Sequence, residues 1–80
     1  MPKTIFTGDN RTVVEALRQA RLQAGLKQAE LAARIGKDQS WVSLVEGSQR
    51  RVDVVEFIEI AKALDVDPVK LLREILGRLS

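Results

Sequence analysis

An all-α domain of five helices is predicted here by three observations. Apolar residues recur at helical spacing through most of the 80 residues. Helix caps and stop signals separate five such stretches. Only Thr4, Ile5, Phe6 and Thr7 could form a short extended arm, before Gly8. The chain is too short for more than one domain, and a domain of this size buries only about 60% of its unfolded surface. Phe6, Trp41 and Phe57 are the only aromatic residues, so the core must be aliphatic.

The first helix is expected over about 12–24. Thr12 and Glu15 have the spacing of a capping box. Val13, Val14, Leu17, Ala20 and Ala24 form its stripe, and Gly25 ends it. Residues 1–11 precede it as an arm. The second helix spans about Gln28 to Ile35, with Leu31, Ala32 and Ile35 inward and Gly36 as its stop. Asp38 caps the third, about Gln39 to Glu46, with Val42 and Val45 inward. Asp53 and Glu56 form a second capping box for the fourth, which runs to about Leu64. Its apolar residues cover more than half its circumference, which predicts a largely buried helix. Asp67 caps the fifth, Pro68 takes its first position, and the helix continues over about 68–79. Residues 12–80 are thus one domain ending in this helix.

Leu71, Leu72, Ile75, Leu76 and Leu79 span about 140° of the last helix at 100° per residue. That is wider than one packing seam requires. These five residues are the expected dimer interface. Leu71 with Ile75, and Leu72 with Leu76, would divide between the domain's own core and a second copy of the chain.

Charge is unevenly spread. Residues 1–51 carry nine Lys and Arg against five acids, a net +4, whereas residues 52–80 carry a net −2. The N-terminal part is suited to a polyanion. There is no Cys and no His, so disulfides and the commonest metal ligands are excluded. No cofactor is called for. No glycine cradle, nucleophile–base pair or metal cluster supports an enzyme. No apolar run approaches the roughly 20 residues needed to span a bilayer. The first ten residues lack the apolar core of a signal peptide, and a cytoplasmic protein is expected.

Two short helices joined by a tight glycine turn, the second opening on a capping residue, make the layout of a helix-turn-helix at 28–46. Ala32 is small enough for a close helix crossing, and Ile35, Val42 and Val45 hold the pair against the body. The outer face of the third helix is then free for a major groove. Gln39, Ser40 and Ser43 lie on its first turn and outer face and are the candidate base contacts. Trp41 either touches thymine methyls and sugar or covers the edge of the core. Leu44 is either an apolar base contact or a plain surface residue. Lys37, Arg50 and Arg51 flank the helix as candidate phosphate contacts. The helix itself holds no Lys or Arg, so specificity would lean partly on DNA shape.

The stretch Gly25-Leu26-Lys27-Gln28-Ala29-Glu30-Leu31-Ala32-Ala33-Arg34-Ile35-Gly36, followed by Ser40-Trp41-Val42-Ser43 and Glu46, resembles the lambda-repressor-like, Xre-type helix-turn-helix family. The resemblance continues through Arg50, Asp53, Ile60-Ala61 and Leu64, and covers about 13–72. It implies a compact four- or five-helix DNA-binding domain, usually a homodimer on a palindromic operator. It also implies that Gln28 bonds a phosphate and braces the third helix, and that Arg21 and Glu46 form a structural ion pair. Two positions depart from the pattern. Lys27 stands where a Ser or Thr cap is usual, and it could instead reach a phosphate. Gly47 follows Glu46 directly, leaving Ser48 at the usual place of the loop glycine. The function expected is that of a sequence-specific transcriptional regulator whose partner is double-stranded DNA. The alternative is a helical protein-interaction module, for example antitoxin-like, with a partner such as a toxin.

Overall fold

The computed structural model describes residues 8–79. Among them are α1 (Asp9–Gln23), α2 (Gln28–Arg34), α3 (Gln39–Glu46), α4 (Val54–Ala63) and α5 (Pro68–Leu79), with no strand. The expected all-α architecture and the order of its helices are what the chain adopts. Helix α1 packs on α3 and α5, α2 on α3 and α4, and α4 on α5.

The core gathers Ala16 and Leu17 from α1, Leu31 and Ala32 from α2, Val42 from α3, and Ile60 and Ala61 from α4. Leu64, Leu71 and Ile75 close it. Ala32 is buried under α3, as a close crossing demands. Truncating one of the larger residues removes transfer energy and leaves a cavity, at about 2–5 kcal/mol.

Three N-termini form as their sequences predict. The Asp38 carboxylate accepts from the Trp41 N–H at 3.0 Å. Asp53 and Glu56 complete a reciprocal box, with bonds of 2.7 and 2.9 Å between each side chain and the other's N–H. Asp67 accepts from the Val69 N–H. Helix α2 has half a box: Glu30 accepts from the Lys27 N–H at 2.8 Å, and the Lys27 ammonium has no acceptor with which to reciprocate.

Helix α1 corrects two expectations. It begins at Asp9, with Gly8 at its N-cap, three residues before the predicted start. The Thr12 N–H is already bonded to the Gly8 carbonyl, so Thr12 lies inside the helix and caps nothing. The predicted arm therefore ends before residue 9, and residues 1–7 lie outside the described part.

Helices α1 to α4 all stop in one way. The second residue past each helix, Gly25, Gly36, Ser48 or Asp65, has φ between 57° and 74°. In each case its N–H and the next one turn back onto the helix, as in Lys37 N–H to the Ala32 carbonyl at 2.9 Å. This is the Schellman motif. Gly25 and Gly36 adopt the left-handed conformation without a Cβ clash. Ser48 and Asp65 adopt it as non-glycine residues, at some cost in strain. Gly47, by contrast, has φ −82°. A Cβ there would meet the Ser43 carbonyl oxygen at 3.1 Å, so this glycine supplies space instead of a turn.

Helix α4 is less buried than predicted. Ile60 and Ala61 are inside, but Val54 is 74% exposed and Val55 66%. Helix α5 divides its leucines. Leu71 and Ile75 are buried in the chain's own core, which removes them from the predicted dimer interface; Leu72 is 47% exposed and Leu76 56%, with Leu79 beside them.

Candidate nucleic-acid interface

The geometry of the site starts with α3. Val42 and Val45 are buried, which fixes the rotation of the helix. Gln39, Ser40, Ser43 and Leu44 then fall on an exposed arc of about 140° at 100° per residue. The proposed base-reading residues are therefore on one accessible face. The Ser40 hydroxyl donates to Asp38 at 2.7 Å. That bond, followed by the one from the Trp41 N–H, holds the Asp38 carboxyl below its ordinary range.

Beneath this face runs a polar chain that locks α3 to α1 and α2. Arg21 grips Glu46 with two bonds, Nε to Oε2 at 2.7 Å and Nη2 to Oε1 at 2.9 Å, and its Nη1 donates to the Leu26 carbonyl at 2.7 Å. Both charged groups are more than nine-tenths buried. Gln28 Nε2 donates to the same Glu46 carboxylate at 3.1 Å, and Gln39 Nε2 reaches Gln28 Oε1 at 3.5 Å. The Arg21–Glu46 pair implied by the resemblance is thus present. Gln28 braces α3 through Glu46, and its second amide proton has no partner among the described residues.

Trp41 is half-buried and packs against the core. Of the two roles open to it in the sequence, covering the core edge is one it fills. Its ring also carries two cations, Lys37 Nζ at 5.4 Å from the centroid and the Arg50 guanidinium at 5.0 Å. Arg50 is held further. Its Nη1 and Nη2 each donate to Glu56 at 3.0 Å, and Nη1 also donates to the Arg51 carbonyl at 2.7 Å. The Arg50 bond pushes the Glu56 carboxyl below its ordinary range, and the Asp53 N–H adds to the effect. Arg51 is exposed beside it. Lys37, Trp41 and Arg50 are therefore one cluster at the edge of α3.

Sequence reasoning read Glu56 only as a capping residue and missed its grip on Arg50. It also missed Asn10, whose Nδ2 donates at 2.9 Å to the Oγ of Ser48 and so ties the start of α1 to the turn that leads to Arg50. The early start of α1 supplies that residue, and no local signal marked it. No metal-binding group of His, Cys, Asp and Glu occurs among the described residues.

A family model for the helix-turn-helix domain matches residues 13–74. The chain belongs to the helix-turn-helix family. Its solved relatives include an XRE-family like protein from Pseudomonas syringae pv. tomato str. DC3000, 38% identical over 90% of this chain and 88% of that one, with a TM-score of 0.82. The restriction-modification controller protein C.AhdI from Aeromonas hydrophila is 40% identical, over 79% of this chain and 91% of its own, with a TM-score of 0.73. The fold is shared as well with the controller protein C.Esp1396I, solved as a tetramer on its natural 35 base-pair operator; identity is 22% over 92% of this chain and 97% of that one, and the TM-score is 0.83. No curated protein matches the chain. No described helix of this helix-turn-helix protein is long and apolar enough to cross a membrane.

Proposed function

We propose that this chain is a sequence-specific DNA-binding transcriptional regulator that acts in the cytoplasm as a homodimer on a palindromic operator. One observation carries the reading. The exposed arc of α3, with Gln39, Ser40 and Ser43, stands clear of the core and is flanked by Lys37, Arg50 and Arg51. Gln can pair with adenine in bidentate fashion, and Ser can meet a base or a phosphate. Gln28, Lys37, Arg50 and Arg51 would engage phosphates, each contact releasing counterions and steepening the salt dependence. Trp41 would meet the sugar–phosphate wall with the part of its ring left exposed.

The dimer reading is supported by apolar surface. Val54 and Leu72 line one shallow groove between α4 and α5, with Phe57 and Ile75 also in its lining. Leu76 and Leu79 extend the apolar surface along α5. A second copy of the chain seated there would cover it. Two-fold symmetry would then present two α3 helices to successive major grooves about 34 Å apart.

In vitro selection from a random DNA pool tests the proposal. A palindromic consensus with half-sites one helical turn apart is the expected result. The competing reading, a protein-interaction module with a partner such as a toxin, draws on the absence of Lys and Arg from α3. Failure of the full chain to enrich any sequence or to bind duplex DNA at low salt would favour that module and overturn the regulator.

A further inference from the structure

Arg50 is gripped in a way that leaves part of it free. A guanidinium has five N–H donors arranged as two forks. Glu56 takes the end-on fork through Nη1 and Nη2, and the Arg51 carbonyl takes the other Nη1 proton. The side-on fork, Nε–H with the second Nη2–H, has no partner among the described residues. The guanidinium carbon lies over the Trp41 ring, 5.0 Å from its centroid. Glu56 is itself immobilised, because Oε1 also accepts from the Asp53 N–H and the side chain is only 13% exposed.

Charge alone would make an acid at this edge a hindrance to DNA. The geometry points to a different role: Glu56 is a specificity-determining positioning residue, which holds Arg50 on Trp41 so that the free fork grips a single phosphate, and which cancels Arg50's charge toward phosphates elsewhere. A cation so held is aligned for one register of the duplex and is a poor ligand for others. A flexible, uncompensated Arg50 would bind any stretch of backbone. This inference rests on the DNA-binding reading above.

The test compares the full chain with Glu56→Gln, which keeps size and a cap acceptor for Asp53 but drops the charge. Affinity is measured by fluorescence anisotropy for a duplex of the selected sequence and for a scrambled one at the same salt. The expected result is a fall of about fivefold in the ratio of the two affinities, the scale of one half-exposed ion pair. Simple removal of a negative charge would raise both affinities together; an unchanged or increased ratio overturns the proposal. Arg50→Lys keeps the charge without the fork and is expected to lose the same ratio. A second readout needs no DNA. Trp41 is the single Trp and there is no Tyr, so its emission is clean. Acrylamide quenching is expected to rise in Glu56→Gln as Arg50 leaves the ring, and unchanged quenching overturns the positioning. Absence of wild-type binding to every duplex at low salt defeats the DNA-binding reading itself, and this inference with it.

Discussion

Two arginine–glutamate pairs flank the same turn, and they differ in how deeply they are buried. Arg21 spends three nitrogens on Glu46 and the Leu26 carbonyl, with both charges buried under α3. Arg50 offers its outer fork to Glu56, keeps its side fork open, and is 39% exposed at the edge of α3. The first pair is dry, so its work is structural. The second is half wet with its side fork turned to no protein group among the described residues, so it contributes little to folding and is placed to meet a partner. Burial separates the two roles, even though each arginine uses three N–H donors and both pairs are bidentate contacts of similar length.

The largest effect comes from breaking the buried pair. Arg21→Ala strands the Glu46 carboxylate, and a cost of about 3–5 kcal/mol is expected in urea denaturation. That is a large share of the stability of so small a domain. A loss under about 1 kcal/mol would place this pair in the same class as the exposed one.

Arg50→Ala sharpens the comparison from the other side. It is expected to change unfolding free energy by less than about 1 kcal/mol. Its main effect should be on DNA, where the slope of log affinity against log salt flattens by about one unit. A slope equal to wild type would mean that Arg50 touches no phosphate.

Acid titration distinguishes the groups that hold the interface edge. Asp38 and Glu56 are both held below their ordinary carboxylate values, Asp38 first by the Ser40 hydroxyl and Glu56 first by Arg50. Depressed folded values stabilise the protein above the unfolded pKa, near about 4, and that contribution is lost as pH falls through the folded values. Unfolding free energy is therefore expected to drop below about pH 4. The drop should be shallower in Glu56→Gln, as followed by urea melts at several pH values.

The smallest effect lies in the turns. The chain between Glu46 and Arg50 turns through Ser48, whose left-handed backbone is offset by its bond from Asn10. Asp65 has the same conformation on an exposed surface. Asp65→Gly is expected to stabilise by about 0.5–1 kcal/mol in thermal melts. A loss would mean that the aspartate offsets its own strain.

What could be read in the sequence follows the range of each interaction. The caps at Asp38, Asp53 and Asp67 join neighbours in the chain, so spacing alone revealed them. The glycine stops at Gly25 and Gly36 were visible because glycine is the usual left-handed residue, whereas Ser48 and Asp65 adopt that conformation without announcing it. Spacing divided α5 into Leu71 with Ile75 and Leu72 with Leu76; which pair faces the core needed the helix's rotation, which the packing of α1 and α4 against Leu71 and Ile75 supplies. Family resemblance supplied the Arg21–Glu46 pair across 25 residues. The Arg50–Glu56 pair spans six residues across a loop whose path depends on Ser48. The cap role of Glu56 was plain, and its second task was hidden by that path.

The most direct test of the account is amide chemical-shift mapping of the full chain during titration with a selected duplex. Perturbations are expected to centre on Gln28 and on 37–44, with Arg50 and Arg51 at the edge, leaving the outer face of α1 quiet. Shifts gathered on the exposed face of α5 around Leu72 and Leu76, with Gln39, Ser40 and Ser43 unmoved, would contradict it.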